Sequence, residues 1–260
     1  MMRALILAAG EGSRLRPLTK DKPKALVELC DKTLLERQVS ILQKAGITDI
    51  AIATGYKGEQ IQELGFNCYH NPDYATSNMV YSLFNALPFL EREGDLIISY
   101  GDIVYELDNL KKIITSDAAV NVMVDKEWFK YWKMRFVDPL TDAESLILND
   151  DGTIKELGLK TESYNDIQGQ YIGLIKVRRD KLKALISFYH NLKIKKSSNI
   201  KDLNNMFLTD FIQLLINADW DIRAILISGG WLEVDSLKDL NLYEGLAKSK
   251  ELDSYCRLDK

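Results

Sequence analysis

The 260-residue chain is 46% hydrophobic with a formal net charge of −4, enough to bury one large α/β core or two small ones. That acidic balance argues against nucleic acid or an anionic membrane surface as the main partner. No Pro/Gly/Ser-rich linker, repeat or low-complexity tract divides residues 1–260, which read as a single domain.

The first apolar run is too short, and too soon followed by charge, for a signal peptide or a membrane span. Strands are predicted over residues 3–7, 49–54, 66–70, 96–100, 120–124, 171–177 and 222–227. Amphipathic segments lie between the early ones, over 34–45, 58–64 and 79–87, with Gly46 placed as a helix stop. This rhythm implies a mostly parallel sheet covered on both faces, with ligands outside the carboxyl ends of its strands. Over residues 128–170 the pattern changes to short polar strand-like pieces around Asp150-Asp151-Gly152, read as a hairpin-bearing insertion that caps the site. The lysine-rich stretch 193–201 reads as a mobile surface connection. Cys30, Cys68 and Cys256 are widely separated, lack metal-ligand spacing, and suit reduced thiols in a cytoplasmic protein.

The stretch from Leu5 to Leu26 carries most of the functional signal. Leu5-Ile6-Leu7 is a buried-strand run, and Ala8, Ala9, Gly10, Glu11, Gly12 and Ser13 form the loop after it. Small side chains there let phosphates approach main-chain N–H groups. Arg14, Arg16, Lys20, Lys22 and Lys24 follow at once, a cationic cluster suited to a polyphosphate ester. A P-loop is excluded because no Gly-Lys-Ser/Thr occurs. A dinucleotide fingerprint fails because Leu15 stands at its third glycine. Asp102 falls at the end of the 96–100 strand, and Asp235 closes Gly229-Gly230-Trp231-Leu232-Glu233-Val234-Asp235. Two such carboxylates suit a Mg²⁺ ion that keeps waters and bridges phosphates. Taken alone, Asp235 reads equally well as a helix cap before Ser236.

The two histidines are also informative. A phosphate or phosphonate oxygen attacking a nucleotide α-phosphate is already ionised and needs no general base. Catalysis then reduces to alignment and charge neutralisation. His70, beside Asn71-Pro72, reads as a turn cap, and His190 as a bystander near a helix end.

The pattern L-A-A-G-x-G-x-R-L-x-P-L-T-x-x-x-P-K is met in full by Leu7, Ala8, Ala9, Gly10, Gly12, Arg14, Leu15, Pro17, Leu18, Thr19, Pro23 and Lys24. It resembles the signature of the nucleotidyltransferases that make nucleotide-diphospho sugars and CDP-alcohols. The resemblance implies a Rossmann-like three-layer α/β/α fold with a mostly parallel mixed sheet. It also implies Arg14 and Lys24 as catalytic cations and Asp102 and Asp235 as Mg²⁺ ligands. Nucleotide contacts would come from Leu7, Ala8, Ala9, Gly10, Glu11, Gly12, Ser13, Tyr100 and Gly101.

The Asn-Pro … Ser-Asn-x-x-x-Ser-Leu pattern, at Asn71, Pro72, Ser77, Asn78, Ser82 and Leu83, looks like the cytidylyltransferases that activate phosphocholine and related compounds. Asn78 and Ser82, on one helix face, would read the cytosine edge; Asn78 as a plain helix cap is the alternative. Lys160 stands where relatives carry a lysine that reaches the acceptor phosphate. Trp128, Phe129, Tyr131 and Trp132 form an aromatic cluster, and Asp142 and Glu144 lie a strand's alternation apart. They suit an ammonium group or, for the carboxylates, an auxiliary metal; Trp128 and Trp132 also suit simple helix packing. Gln168-Gly169-Gln170-Tyr171 precedes a strand, and Gln170 and Tyr171 are expected to line the same pocket.

The expected protein is a Mg²⁺-dependent cytidylyltransferase joining CTP to phosphocholine, aminoethylphosphonate or a phospho-amino compound, with release of pyrophosphate. Such products feed polysaccharide decoration or phosphonate pathways. A sugar-1-phosphate transferase using UTP or dTTP is the nearest rival, disfavoured by the missing glutamine context. A non-catalytic nucleotide-binding module is disfavoured by the intact Arg14, Lys24, Asp102 and Asp235. A homo-oligomer is compatible with the sequence.

Overall fold

The computed structural model describes residues 2–195 and 203–258. In chain order the strands are β1 (Met2–Ala8), β2 (Glu28–Leu29), β3 (Lys32–Thr33), β4 (Asp49–Thr54), β5 (Asn67–His70), β6 (Asp95–Tyr100) and β7 (Ile103–Tyr105). Then come β8 (Val120–Asp125), β9 (Glu144–Leu148), β10 (Ile154–Lys160), β11 (Gln170–Val177), β12 (Ile222–Ile227) and β13 (Trp231–Glu233). The helices are α1 (Leu34–Lys44), α2 (Glu59–Glu63), α3 (Met79–Asn85), α4 (Leu87–Leu90) and α5 (Leu107–Thr115). They continue with α6 (Trp128–Arg135), α7 (Leu182–Lys195), α8 (Leu208–Ile216) and α9 (Leu237–Lys248).

Seven strands form the main sheet in the order β12-β8-β11-β6-β1-β4-β5. β11 runs antiparallel to both neighbours, and the other pairs are parallel. Each of the seven predicted strands is one of these. The period-2 alternation of β1 sends Ala4, Ile6 and Ala8 into a core shared with α1, α5 and α9. Leu5 and Leu7 enter the opposite core, with α3, α4, α7 and α8. Burial on both faces makes the sequence of β1 a continuous apolar run.

α1 begins with a capping box: Thr33 Oγ1 accepts from the Glu36 backbone, and Glu36 Oε2 accepts from the Thr33 backbone. It ends at Gly46, whose φ of 81° suits the stop. The helix expected over 79–87 is interrupted at Ala86, because Pro88 lacks an N–H to continue the ladder.

The largest correction falls in residues 128–170. The expected hairpin is present as antiparallel β9 and β10, packed against the second core with α8. The segment opens, however, with helix α6 rather than strand-like pieces. Trp128, Tyr131, Trp132 and Arg135 recur at helical spacing and are buried, a signal masked by the intervening lysines. Among the described residues no disulfide joins the three cysteines, and Cys256 is buried. Of the 193–201 connection, residues 196–201 lie outside the described residues. Among the described residues, no helix is long and apolar enough to cross a membrane.

Candidate active site

The site lies at the carboxyl ends of β1 and β6. These strands pair in parallel with Leu7 opposite Tyr100, so the loops that follow leave the sheet side by side. The Gly101 N–H donates to the Leu7 carbonyl at 2.9 Å. A Cβ at Gly101 would sit 2.7 Å from that same oxygen, so only glycine permits the approach. Gly12 occupies the left-handed region at φ 65°, and its carbonyl accepts from Leu15 N–H and Thr19 Oγ1. Leu15 and Thr19 are fully buried and anchor the cationic loop. A Cβ at Gly12 would come 2.9 Å from Lys24 Cβ, so this glycine clears the path of the Lys24 side chain.

Asp102 and Asp235 are brought together by two three-residue strands. β13 pairs antiparallel with β7, setting Glu233 opposite Ile103. The Val234 N–H donates to the Asp102 carbonyl at 2.9 Å. Lys24 Nζ then lies 2.7 Å from Asp102 Oδ2 and 3.0 Å from Asp235 Oδ1, the latter a residue 211 positions away in sequence. The exposed Arg14 guanidinium pairs with Asp235 Oδ2. Burial by itself would lower the Lys24 pKa, but Asp102 and Asp235 outweigh it and hold the ammonium above its ordinary value. Asp235 is not the helix cap: Ser236 takes that role in a capping box with Asp239.

The donor set fits a hard divalent cation. Among the described residues Asp102 Oδ1 is buried with no hydrogen-bond partner, the condition that a bound cation would relieve. Among the described residues no group of three or more His, Cys, Asp or Glu is placed to hold a metal. A cation between Asp102 and Asp235 would therefore complete its shell with phosphate oxygens and water, the usual habit of Mg²⁺.

These residues wall a cleft of ≈ 260 Å³. Leu7, Ala8, Ala9, Gly10, Gly12, Ser13, Arg14, Lys24, Asn78, Ser82, Tyr100, Gly101, Asp102 and Asp235 all line it. Glu11 does not; it points outward and pairs with Arg16.

Comparison with known proteins identifies the frame. The MobA-like NTP transferase domain matches residues 4–145. The chain belongs to that family. The transferase is 40% identical over 250 residues to the CTP:phosphoglutamine cytidylyltransferase of Campylobacter jejuni, covering 93% of this chain and 98% of the relative. It is 47% identical over 87 residues to the choline-phosphate cytidylyltransferase of Streptococcus pneumoniae, covering 32% of this chain and 38% of that one. The fold matches the solved CTP:phosphocholine cytidylyltransferase of S. pneumoniae at TM-score 0.71 and 24% identity, over 95% of this chain and 99% of the other. It also matches an inositol-1-phosphate CTP transferase from T. maritima at TM-score 0.72 and 23% identity, covering 96% and 97% of the two chains. This protein is a nucleotidyltransferase.

The acceptor candidates of the transferase are placed less uniformly, and no residue of 128–170 lines the cleft. Trp128 and Trp132 are both buried, and Trp128 packs on Trp132 and Tyr164. Packing is therefore what Trp128 does here. Asp142 lies just before β9 rather than in it, and accepts from Trp132 Nε1 at 3.0 Å. Desolvation raises the Asp142 carboxyl, with Arg135 opposing the shift and Asp235 and Arg14 also in electrostatic reach. Solvent reaches Glu144, yet the surrounding protein still desolvates its carboxyl and, with Asp210, Asp142 and Glu233 as like charges, pushes it up to about 7. Lys160 is exposed opposite Glu144 in the hairpin register. The Gln170 amide is engaged with the Glu144 backbone in both directions, tying β9 to β11. The Tyr171 hydroxyl is buried, and its ring meets Tyr100 edge-on at 5.5 Å.

Several site residues were not singled out from sequence. Tyr74 and Met79 line the cleft, as does Ser77, which the sequence offered only as part of the Ser-Asn-x-x-x-Ser-Leu pattern. Gln38 of α1 donates to the Tyr100 carbonyl at 3.0 Å and accepts from Ser99 Oγ at 2.7 Å, steadying the end of β6. The turn-capping role expected of His70 belongs to Asn71, whose Oδ1 accepts from the Asp73 N–H. The His70 ring is exposed and makes no hydrogen bond among the described residues. Asn78 both lines the cleft and caps α3 through the Met79 N–H.

Proposed function

We propose that this transferase is a Mg²⁺-dependent cytidylyltransferase that moves CMP from CTP to a small phosphorylated or phosphonate acceptor bearing a cationic amine. The observation that carries the reading is the Lys24 ammonium held between Asp102 and Asp235 on the wall of the cleft. The near full-length similarity to a protein named as a CTP:phosphoglutamine cytidylyltransferase supports the nucleotide and the acceptor class.

In this reaction an ionised acceptor oxygen attacks the α-phosphorus, one P–O bond forms, and the bond to the β-phosphate breaks to release pyrophosphate. Asp102 and Asp235 would hold the Mg²⁺ ion, which when bound would supply charge neutralisation on the triphosphate. Lys24, kept charged by its two carboxylates, supplies a fixed positive group beside the α-phosphate. The exposed Arg14 suits the departing pyrophosphate. The glycine-containing loop brings main-chain N–H groups to the phosphates. Asp142 and Glu144 offer negative charge to the acceptor amine.

Pyrophosphate release should be measured with each of four nucleoside triphosphates against phosphocholine, aminoethylphosphonate, phosphoglutamine and hexose-1-phosphates. Turnover is expected with CTP and an amine-bearing acceptor. Preferred use of UTP or dTTP with a hexose-1-phosphate would transfer the chain to the sugar-activating branch, and no release with any pair would leave a binding module.

A pH prediction follows from Glu144. Its carboxyl is neutral below about 7 and charged above it. The KM for phosphocholine should therefore fall as pH rises through that value, because only the ionised form attracts the ammonium. Glu144→Gln should flatten this dependence. The acceptor phosphate, with its second pKa near ~6, titrates alike in both proteins and cancels in the comparison. Identical pH profiles for the two proteins would remove Glu144 from the acceptor site.

A further inference from the structure

Asn71 is fully buried, and both ends of its side-chain amide are engaged. Its Oδ1 accepts from the Asp73 backbone N–H at 2.9 Å. A backbone N–H can only donate, so this contact fixes which end of the amide is oxygen. Nδ2 must then face the other way, where it donates to Ser77 Oγ at 3.0 Å and to Ser82 Oγ at 2.9 Å. Both serines line the cleft.

A hydroxyl has one proton to give, and its lone pairs accept. Asn71 occupies an accepting side of each serine, which leaves the protons to be directed elsewhere. The Asn78 carbonyl lies 3.5 Å from Ser82 Oγ, at the outer limit of a hydrogen bond. Ser77 has no acceptor of its own among the described residues. The Ser77 proton is thus available to the cleft, and that of Ser82 is held only by this long contact.

We propose that Asn71 is a positioning residue for base selection: by donating to Ser77 and Ser82 it turns both hydroxyls into donors toward the bound base. Such a pair matches cytosine, whose N3 and O2 are adjacent acceptors. It opposes uracil and thymine, whose N3–H would meet a donor and lose its partner in a desolvated site. The proposal rests on the reading of this cleft as a CTP site. It deepens that reading by naming what sets the polarity of the base contact.

The test is Asn71→Asp, which replaces a donor by an acceptor-only group of nearly the same shape. The serine protons then turn to the carboxylate, and their lone pairs face the base. The ratio of kcat/KM for CTP over UTP should fall by at least about tenfold. Partial unfolding lowers both nucleotides equally and leaves that ratio unmoved, so the ratio separates polarity from structural damage. Should Asn71→Asp not fold, the Ser77→Ala/Ser82→Ala double variant removes the hydroxyls that Asn71 orients, and the same loss of discrimination is expected. A CTP-preferring wild type whose variant keeps the wild-type ratio overturns this proposal alone. A wild type that prefers UTP overturns both this proposal and the CTP reading.

Discussion

Asp102→Asn should lower kcat for pyrophosphate release by on the order of 10³-fold, the loss expected when a preorganised charge on the reacting phosphates is removed. One Asp102 oxygen accepts from Lys24 at 2.7 Å, and the other is buried without a partner among the described residues. An amide keeps the shape but surrenders the charge that anchors the ammonium and that would ligate a cation. The strand pairing that places the residue runs through its backbone carbonyl to Val234 N–H and is untouched by the change. The thermal midpoint should therefore stay close to wild type while the Mg²⁺ concentration for half-maximal rate rises. Steady-state kinetics over a Mg²⁺ titration, with calorimetric nucleotide binding, checks both. Wild-type turnover in this variant would exclude Asp102 from the metal site.

Arg135→Met should cost about 3–5 kcal/mol of stability, the range for removing one partner of a buried ion pair. The Arg135 side chain is 1% exposed. It donates to Glu233 Oε2 at 2.7 Å and to Asp239 Oδ1 at 3.1 Å, and it lies within 5.7 Å of the ring centres of Tyr131, Trp132 and Phe136. Asp239 in turn caps α9 through the Ser236 backbone and hydroxyl. One guanidinium therefore braces both ends of the segment from Glu233 to Asp239, which carries Asp235. For a chain of this size the unfolding midpoint should drop by on the order of 10 °C.

The pH dependence of that loss has a definite sign. Burial alone would raise the Asp239 carboxyl, but Arg135 and Ser236 outweigh it and hold it below its ordinary value. A depressed acid contributes stability above its unfolded pKa of about 3.9 and loses it as pH falls through the folded value. The Asp239 share of the gap between wild type and Arg135→Met should accordingly be full at neutral pH and narrow below about pH 4. Unfolding by urea across that range measures it. An unchanged midpoint at neutral pH would show that α6 does not brace the segment that carries Asp235.

The seven strands of the sheet were legible because most of them, being buried on both faces, write their position as unbroken apolar runs bounded by loops. Leu5, Ile6 and Leu7 are such a run, and the small residues and cations after them mark a phosphate loop whatever the rest of the fold does. α6 was less legible because Lys130 and Lys133 interrupt a helical repeat of buried Trp128, Tyr131, Trp132 and Arg135.

What the residues alone determined is therefore the chemistry on offer: a mostly parallel α/β sheet, a cationic loop at the end of β1, and carboxylates at Asp102 and Asp235. What only the tertiary structure decided is how these meet. β7 and β13 are three residues each, too short to carry a period, and their pairing sets Asp102 beside Asp235. The polarity of Ser77 and Ser82 depends on a buried amide from the preceding turn, and the brace on Asp235 comes from a helix about a hundred residues earlier. Periodicity reports which face of an element is buried. It does not report which distant element lies against that face, because the contact is fixed by sheet order and crossover geometry rather than by local pattern.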